Sequence, residues 1–174
     1  MESDLSSIKR ICIDFVGDTD SEVEEFADKT REYLAKSSIT EYYIKYRKGN
    51  LDAIVEASHI IDELNEQQIL YPHVKKFYPC SYEDISKAIN VFPNLDTIYI
   101  SFASFSTLLK SKEWWEENHQ GFINSLRLAV IKEISIVFVD DATLGSMERH
   151  LNLIPASVRS RTRIIPSDEI HLGL

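Results

Sequence analysis

A spacing repeated along the chain constrains the fold more than any other feature of the sequence. Four segments share the pattern apolar-x-x-apolar-x-apolar-x-apolar, in which the last three apolar positions alternate with period two. Such alternation is typical of a strand that buries one face. A fifth segment, Val74–Phe77–Pro79, keeps the first two positions and then loses the pattern at proline. The four complete copies are Ile8–Ile11–Ile13–Phe15, Ile39–Tyr42–Ile44–Tyr46, Leu95–Ile98–Ile100–Phe102 and Ile131–Ile134–Ile136–Phe138.

Amphipathic stretches that separate the repeats predict helices. In the first of them, Asp20 or Ser21 is the expected N-cap, with Glu24 three residues after Ser21. Because helices and strands alternate throughout, a mainly parallel sheet is expected. The predicted helices cover about residues 20–36, 51–70, 81–92, 111–131 and 143–153.

Two architectures satisfy this order of elements. A doubly wound sheet has helices on both faces, so its strands are apolar on both sides. Here the intervening strand positions are polar, as with Arg10 and Asp14, and charged residues would be costly beneath a second layer of helices. The sequence therefore predicts one α/β domain over residues 1–174, a mainly parallel sheet of about five or six strands with helices predominantly on one face. The alternative is a three-layer Rossmann-like α/β sandwich.

One of the repeated segments resembles a repeat unit of a known protein family. The segment Phe92–Phe102, FPNLDTIYISF, resembles the leucine-rich-repeat unit, in which Pro-Asn after a helix leads into L-x-x-L-x-L. Ser104 and Ser106 follow it in place of the family's asparagine, and the repeats are irregularly spaced. Irregular units with a tryptophan-bearing helix after a strand are similar to the FTH substrate-recruiting domains of nematode F-box proteins, over residues 70–140. This resemblance implies an adaptor that recruits another protein.

Composition excludes several classes of partner. The 174 residues are 44% hydrophobic and 27% charged, as in a globular protein, and no run approaches the ~18 apolar residues of a membrane span. The net charge of −9 disfavours binding to a nucleic-acid backbone. Two cysteines, Cys12 and Cys80, are too few for a disulfide framework, which favours a reducing compartment, cytoplasmic or nuclear.

Acidic residues near predicted strand ends raise the alternative of an enzyme. Asp18 and Asp20 follow the first strand, and Asp140 and Asp141 follow the last repeat. Their order is similar to the layout of haloacid-dehalogenase phosphatases, in which such residues supply a nucleophile, a general acid and Mg²⁺ ligands. The same residues are also suited to capping helix N-termini, which is the interpretation we favour. We expect no catalytic residue, metal or cofactor.

The basic run near the C-terminus has two interpretations. Arg159, Arg161 and Arg163 alternate with other residues in an otherwise acidic chain. They could bind a carboxylate-rich partner or a phosphate. A solvated strand edge, protected by charge, explains them more simply, and this is the interpretation we favour.

A row of tyrosines carries the functional prediction. If the strands pair in sequence, the centre of the exposed face holds Cys12, Tyr43, Tyr78, Tyr99 and Ser135 in turn. Tyrosine combines a large contact area with a polar tip, which suits recognition of a protein or peptide. We therefore predict a protein-interaction module, with a homodimer or larger complex through its open ends as a further expectation. Its predicted anchors are Tyr43, Tyr78 and Tyr99, and its predicted charged contacts are Arg10, Lys45 and Lys76.

Overall fold

The computed structural model describes residues 8–15, 20–46, 60–78, 83–101, 112–140 and 155–166. Within them, six strands form a single sheet in which every neighbouring pair is parallel. Five of these strands fall on the repeated segments, and the sixth covers part of the basic run. The strands are β1 (Arg10–Phe15), β2 (Glu41–Tyr46), β3 (Lys76–Tyr78), β4 (Thr97–Ser101), β5 (Ser135–Asp140) and β6 (Thr162–Pro166).

The strands follow one another across the sheet in chain order, β1-β2-β3-β4-β5-β6. Connections between parallel strands are right-handed in nearly all proteins. Because each connection here steps in the same direction, right-handed crossovers all pass over the same face. A doubly wound sheet would instead reverse its strand order at a switch point. The predicted parallel α/β sheet is confirmed, and its strand order is that of the one-sided arrangement rather than of the sandwich.

Helices lie within four of the stretches that were predicted to be helical, about residues 20–36, 51–70, 81–92 and 111–131. The fifth predicted helix, at about residues 143–153, lies outside the described residues. Residues 60–66 are also helical, and Pro93, which has no backbone N–H, follows the end of the second labelled helix. Among the described residues, no helix is both long and apolar enough to cross a bilayer. The labelled helices are α1 (Asp20–Leu34), α2 (Glu83–Val91), α3 (Lys112–Ile131) and α4 (Ala156–Arg159).

The main core lies between these helices and one face of the sheet. Tyr42, Phe77 and Ile98 share a row across β2, β3 and β4, and all three are fully buried. The ring of Tyr42 stacks on Phe77 at 5.5 Å and meets Phe92 edge-on at 5.9 Å. Where the side chains are described, the inward face therefore matches the repeat. The side chains of Ile13, Phe15, Ile44 and Tyr46 and the whole of Phe102 lie outside the described part. Helix residues in the same core include Leu34, Ile85, Ala88, Ile89, Phe122, Ile123, Leu126 and Ala129.

One backbone contact recurs at the start of successive strands and sets their register. The backbone carbonyl of the residue just before a strand accepts hydrogen bonds from two consecutive N–H groups at the start of the next repeat. Lys9 O accepts from Thr40 and Glu41, Thr40 O from Lys75 and Lys76, and Lys75 O from Asp96 and Thr97. The six distances lie between 2.7 and 3.1 Å. The repeated spacing of apolar residues in the sequence thus corresponds to a repeated pattern of backbone hydrogen bonds.

The fifth strand departs from the predicted frame by two residues. Ile131, expected as the first buried position, ends α3 and is 76% exposed. Glu133 adopts a positive φ of 60°, and Ile134 N–H bonds the Ala129 carbonyl at 2.9 Å, closing the helix before β5 begins. Ser135 therefore pairs with Thr97, and Val137 occupies the place beside Tyr99 that was predicted for Ser135. A shift of two residues keeps each side chain on its predicted face.

The two faces of β4 should respond differently to truncation. Ile100 is fully buried in the main core, so Ile100→Ala should lower the free energy of unfolding by about 2–5 kcal/mol through lost burial and a residual cavity. Thr97→Ala, on the other face, should change it by less than about 1 kcal/mol. Urea unfolding followed by circular dichroism gives both values. If the two variants lost equal amounts of unfolding free energy, both faces of β4 would be covered.

Candidate functional site

Two neighbouring rows of side chains cross the face of the sheet opposite the main core, which is called the outer face here. The strand register aligns the members of each row. The polar row consists of Arg10, Glu41, Lys76, Thr97 and Ser135. The tyrosine row consists of Cys12, Tyr43, Tyr78, Tyr99, Val137 and Arg163.

The register brings most of the predicted contact residues onto this face. Tyr43 pairs with Tyr78, and the pairing of Lys76 with Thr97 places Tyr78 beside Tyr99. The rings of Tyr78 and Tyr99 lie 6.0 Å and 6.1 Å from that of Tyr43. Arg10 and Lys76 lie in the adjacent polar row.

For Lys45, the structure gives only its backbone pairing with Asp14. Its side chain lies outside the part that the structure describes. Its predicted contact role therefore stays a prediction.

Tyr43 lies in the predicted row, but it is not an exposed anchor. Its side chain is only 2% exposed, whereas Tyr78 and Tyr99 are half-buried. The rings of Tyr78 and Tyr99 pack against it, and the Arg10 guanidinium lies 5.0 Å from the centre of its ring. The prediction that Tyr43 stands open on this face is wrong, because the large rings of Tyr78 on the next strand and of Tyr99 two strands away reach over it.

Beyond the tyrosines, the outer face has a small apolar cluster of its own. Val137, Val139 and Ile165 are each at most 5% exposed, and Tyr78 and Tyr99 pack against them. The tyrosine row thus continues into buried aliphatic residues on β5 and β6. Tyr78 and Tyr99 join this cluster to Tyr43 and keep part of their surface accessible.

Glu41 organises the charges at the β1 side of the outer face. Its carboxylate accepts a hydrogen bond from Arg10 Nε at 2.5 Å and another from the Tyr43 hydroxyl at 3.0 Å. Lys76 Nζ lies 3.7 Å from its second oxygen. Glu41 therefore holds one of the predicted charged contacts, Arg10, beside Tyr43, and lies near a second, Lys76, without a hydrogen bond to it.

A groove of about 450 Å³ lies at the β6 side of the same face. Tyr99 and Val137 line it, and its cationic side chains are Lys76, Arg161 and Arg163. The sequence showed Arg161 and Arg163 two residues apart, which places both on one face of a strand. What it did not show is that β6 lies beside β5, so that these arginines share a groove with Lys76.

The strand order separates the acidic residues proposed for an enzyme. Asp20 begins α1 after β1, whereas Asp140 ends β5. The ends of β1 and β5 are four strand steps apart, about 19 Å at the usual strand spacing, too far for one metal ion to bridge. Asp18 and Asp141 lie outside the described residues. Within the described part of the chain, no cluster of three potential metal ligands occurs.

Comparison with known proteins adds no relative to this picture. No family model matches the chain, and no characterised protein matches it either. The resemblance to leucine-rich repeats and to FTH domains stays a prediction from the sequence. Function must therefore be inferred from the outer face itself.

The burial of Tyr43 should be measurable as a pH dependence of stability. Burial raises the pKa of its hydroxyl well above the usual value of about 10, and the Glu41 carboxylate raises it further. Because the unfolded chain releases this proton at lower pH, the contribution to stability is complete below about pH 10 and declines as the pH rises further. In urea unfolding at alkaline pH, the decline should be shallower for Tyr43→Phe than for the wild type.

Tyr33→Phe is the matched control for this measurement. Tyr33 lies on α1 with 41% of its surface exposed, so Tyr33→Phe removes one tyrosine hydroxyl without changing the buried one. If Tyr43→Phe declines as steeply as Tyr33→Phe, then Tyr43 is not buried on the outer face.

Proposed function

We propose that the chain is a non-enzymatic protein-interaction module that binds a protein or peptide on the outer face of its sheet. The observation that carries this proposal is the difference between the two faces. Among the described residues, the helices contribute side chains to the main core, and none of them contributes to the outer cluster. Within the described part of the chain, the outer face is thus the broad surface of the sheet that the helices leave uncovered.

The half-buried tyrosines are the best candidates for energetic anchors. Tyr78 and Tyr99 are held by Tyr43 and by the apolar cluster, so binding would cost them little conformational entropy. Rigid aromatic side chains of this kind often contribute most of the energy of an interface. Tyr43 supports them from below. Arg10, which is held by Glu41, and Lys76, which lies near it, would add charge selectivity.

The two edge strands of the sheet suggest how the chain would associate into a homodimer or a larger complex. Among the described strands, β1 and β6 each pair with only one neighbour. Edge strands offer unpaired backbone groups to another chain. Pairing through β1 or β6 would give a homodimer or a larger complex while leaving the outer face accessible.

Site-specific crosslinking tests which face a partner uses. A photo-crosslinking amino acid at Thr97, on the outer face, should capture a partner in living cells. The same probe at Leu128, which is 45% exposed on α3, should not. In the purified pair, Tyr99→Ala should weaken binding by about 2 kcal/mol or more, and Leu128→Ala should leave it unchanged.

Two results would contradict the proposal. One is capture from Leu128 without capture from Thr97, which would place the partner on the helices. The other is a phosphate release that depends on Mg²⁺ and disappears in Asp18→Asn, which would make the chain an enzyme.

A further inference from the structure

The cationic groove on the outer face is the feature that most narrows the choice of partner. Arg163 has no ion-pair partner among the residues that the structure describes, although it is exposed beside the groove. Arg161 and Lys76 do have acidic neighbours, Glu133 and Glu41, but both contacts are 3.7 Å long. At that distance neither cation has used its hydrogen-bonding capacity, since Lys has three donors and Arg has five.

The cations stand at opposite sides of an apolar floor. Lys76 is on β3, while Arg161 and Arg163 are at β6, three strand steps away. Three steps span about 14 Å at the usual strand spacing. Tyr99 and Val137 lie between them on β4 and β5. A ligand that contacts both sides must therefore be extended, anionic at two points and able to place an apolar group between them.

An extended peptide has these dimensions. It advances about 3.3 Å per residue, so four residues cover about 13 Å, close to the separation of the two sides. Side chains at positions i, i+2 and i+4 of such a peptide point in the same direction. A sequence acid-x-apolar-x-acid would therefore present two carboxylates and one apolar side chain together.

We propose that this groove binds an extended acidic peptide segment of that pattern, with one carboxylate on Lys76 and the other on Arg161 and Arg163. The proposal rests on the proposed function, because it names the kind of protein segment that the outer face would recognise. The central apolar side chain would pack on Tyr99 and Val137.

The charge balance favours a carboxylate-bearing peptide over a nucleic acid. The three cations have two carboxylates near them, Glu41 and Glu133, so the local excess of positive charge is small. The chain as a whole carries a net charge of −9. A continuous phosphate backbone would be repelled beyond the groove, whereas a short acidic segment requires only the local excess.

Synthetic peptides test the pattern directly. Three fluorescently labelled peptides, equal in length and in flanking sequence, are each titrated with the full chain, and binding is measured by fluorescence anisotropy. Their cores are Glu-Ser-Leu-Ser-Glu, the neutral Gln-Ser-Leu-Ser-Gln, and Ser-Glu-Leu-Glu-Ser, in which the two acids are closer and point away from the leucine. The first should bind about tenfold or more tightly than either of the others, and the preference should shrink at high salt.

Charge reversal then locates the site. Arg163→Glu and Lys76→Glu should each weaken binding of the first peptide about tenfold or more. Arg127→Glu, an exposed position on α3, changes the net charge equally and should leave binding unchanged. Circular dichroism of each variant confirms that the fold is retained.

The outcomes separate this inference from the proposed function. Equal binding of the acidic and neutral peptides overturns the acidic pattern, as does an Arg163→Glu variant that folds and binds like the wild type. Absence of binding by the first peptide at about millimolar concentration, the weak end of specific affinities, also overturns it. None of these results bears on crosslinking at Thr97, which tests the outer face independently.

Discussion

The structure depends on a hydrogen bond that recurs at the start of successive strands. Lys9, Thr40 and Lys75 each offer one carbonyl to two consecutive N–H groups of the following repeat. This contact fixes the register of β1 to β4, and in a strand the register decides which side chains are buried. A slip of one residue would move Tyr42 and Phe77 to the outer face and expose the main core. The division of the molecule into a helix-covered face and an outer face therefore follows from backbone geometry.

The outer face shows how polar strand positions are accommodated where none of the described helices packs on the sheet. Charged side chains there remain near solvent and pair across strands, with Glu41 between Arg10 and Lys76. The tyrosine rings pack against one another and against the aliphatic residues of β5 and β6. The result is a surface that is ordered before any partner arrives. Such preorganisation lowers the entropy that binding must overcome, which links the packing of this face to its proposed function.

The sequence predicted those parts of the structure that depend on local pattern. The alternation within the complete repeats predicted the faces of β1, β2 and β4 where their side chains are described, and the one-sided arrangement followed from Arg10 and the other polar positions. The register of β5 was missed because it depends on where α3 ends, and that end requires a positive φ at Glu133, a residue that gives no signal for it. The burial of Tyr43 and the convergence of Arg163 with Lys76 depend on contacts between separate strands. No spacing within one segment contains that information.

Thiol accessibility on β4 tests the difference between the two faces most directly. Thr97 and Ile98 are adjacent in the chain but lie on opposite faces, half-buried and fully buried respectively. In a background in which Cys12 and Cys80 are replaced by serine, Thr97→Cys and Ile98→Cys are treated with a thiol reagent under native conditions. The Thr97→Cys variant should react under native conditions, whereas the Ile98→Cys variant should react only on unfolding. Protection of both thiols would mean that the outer face is covered as well, and the proposed binding surface would not exist.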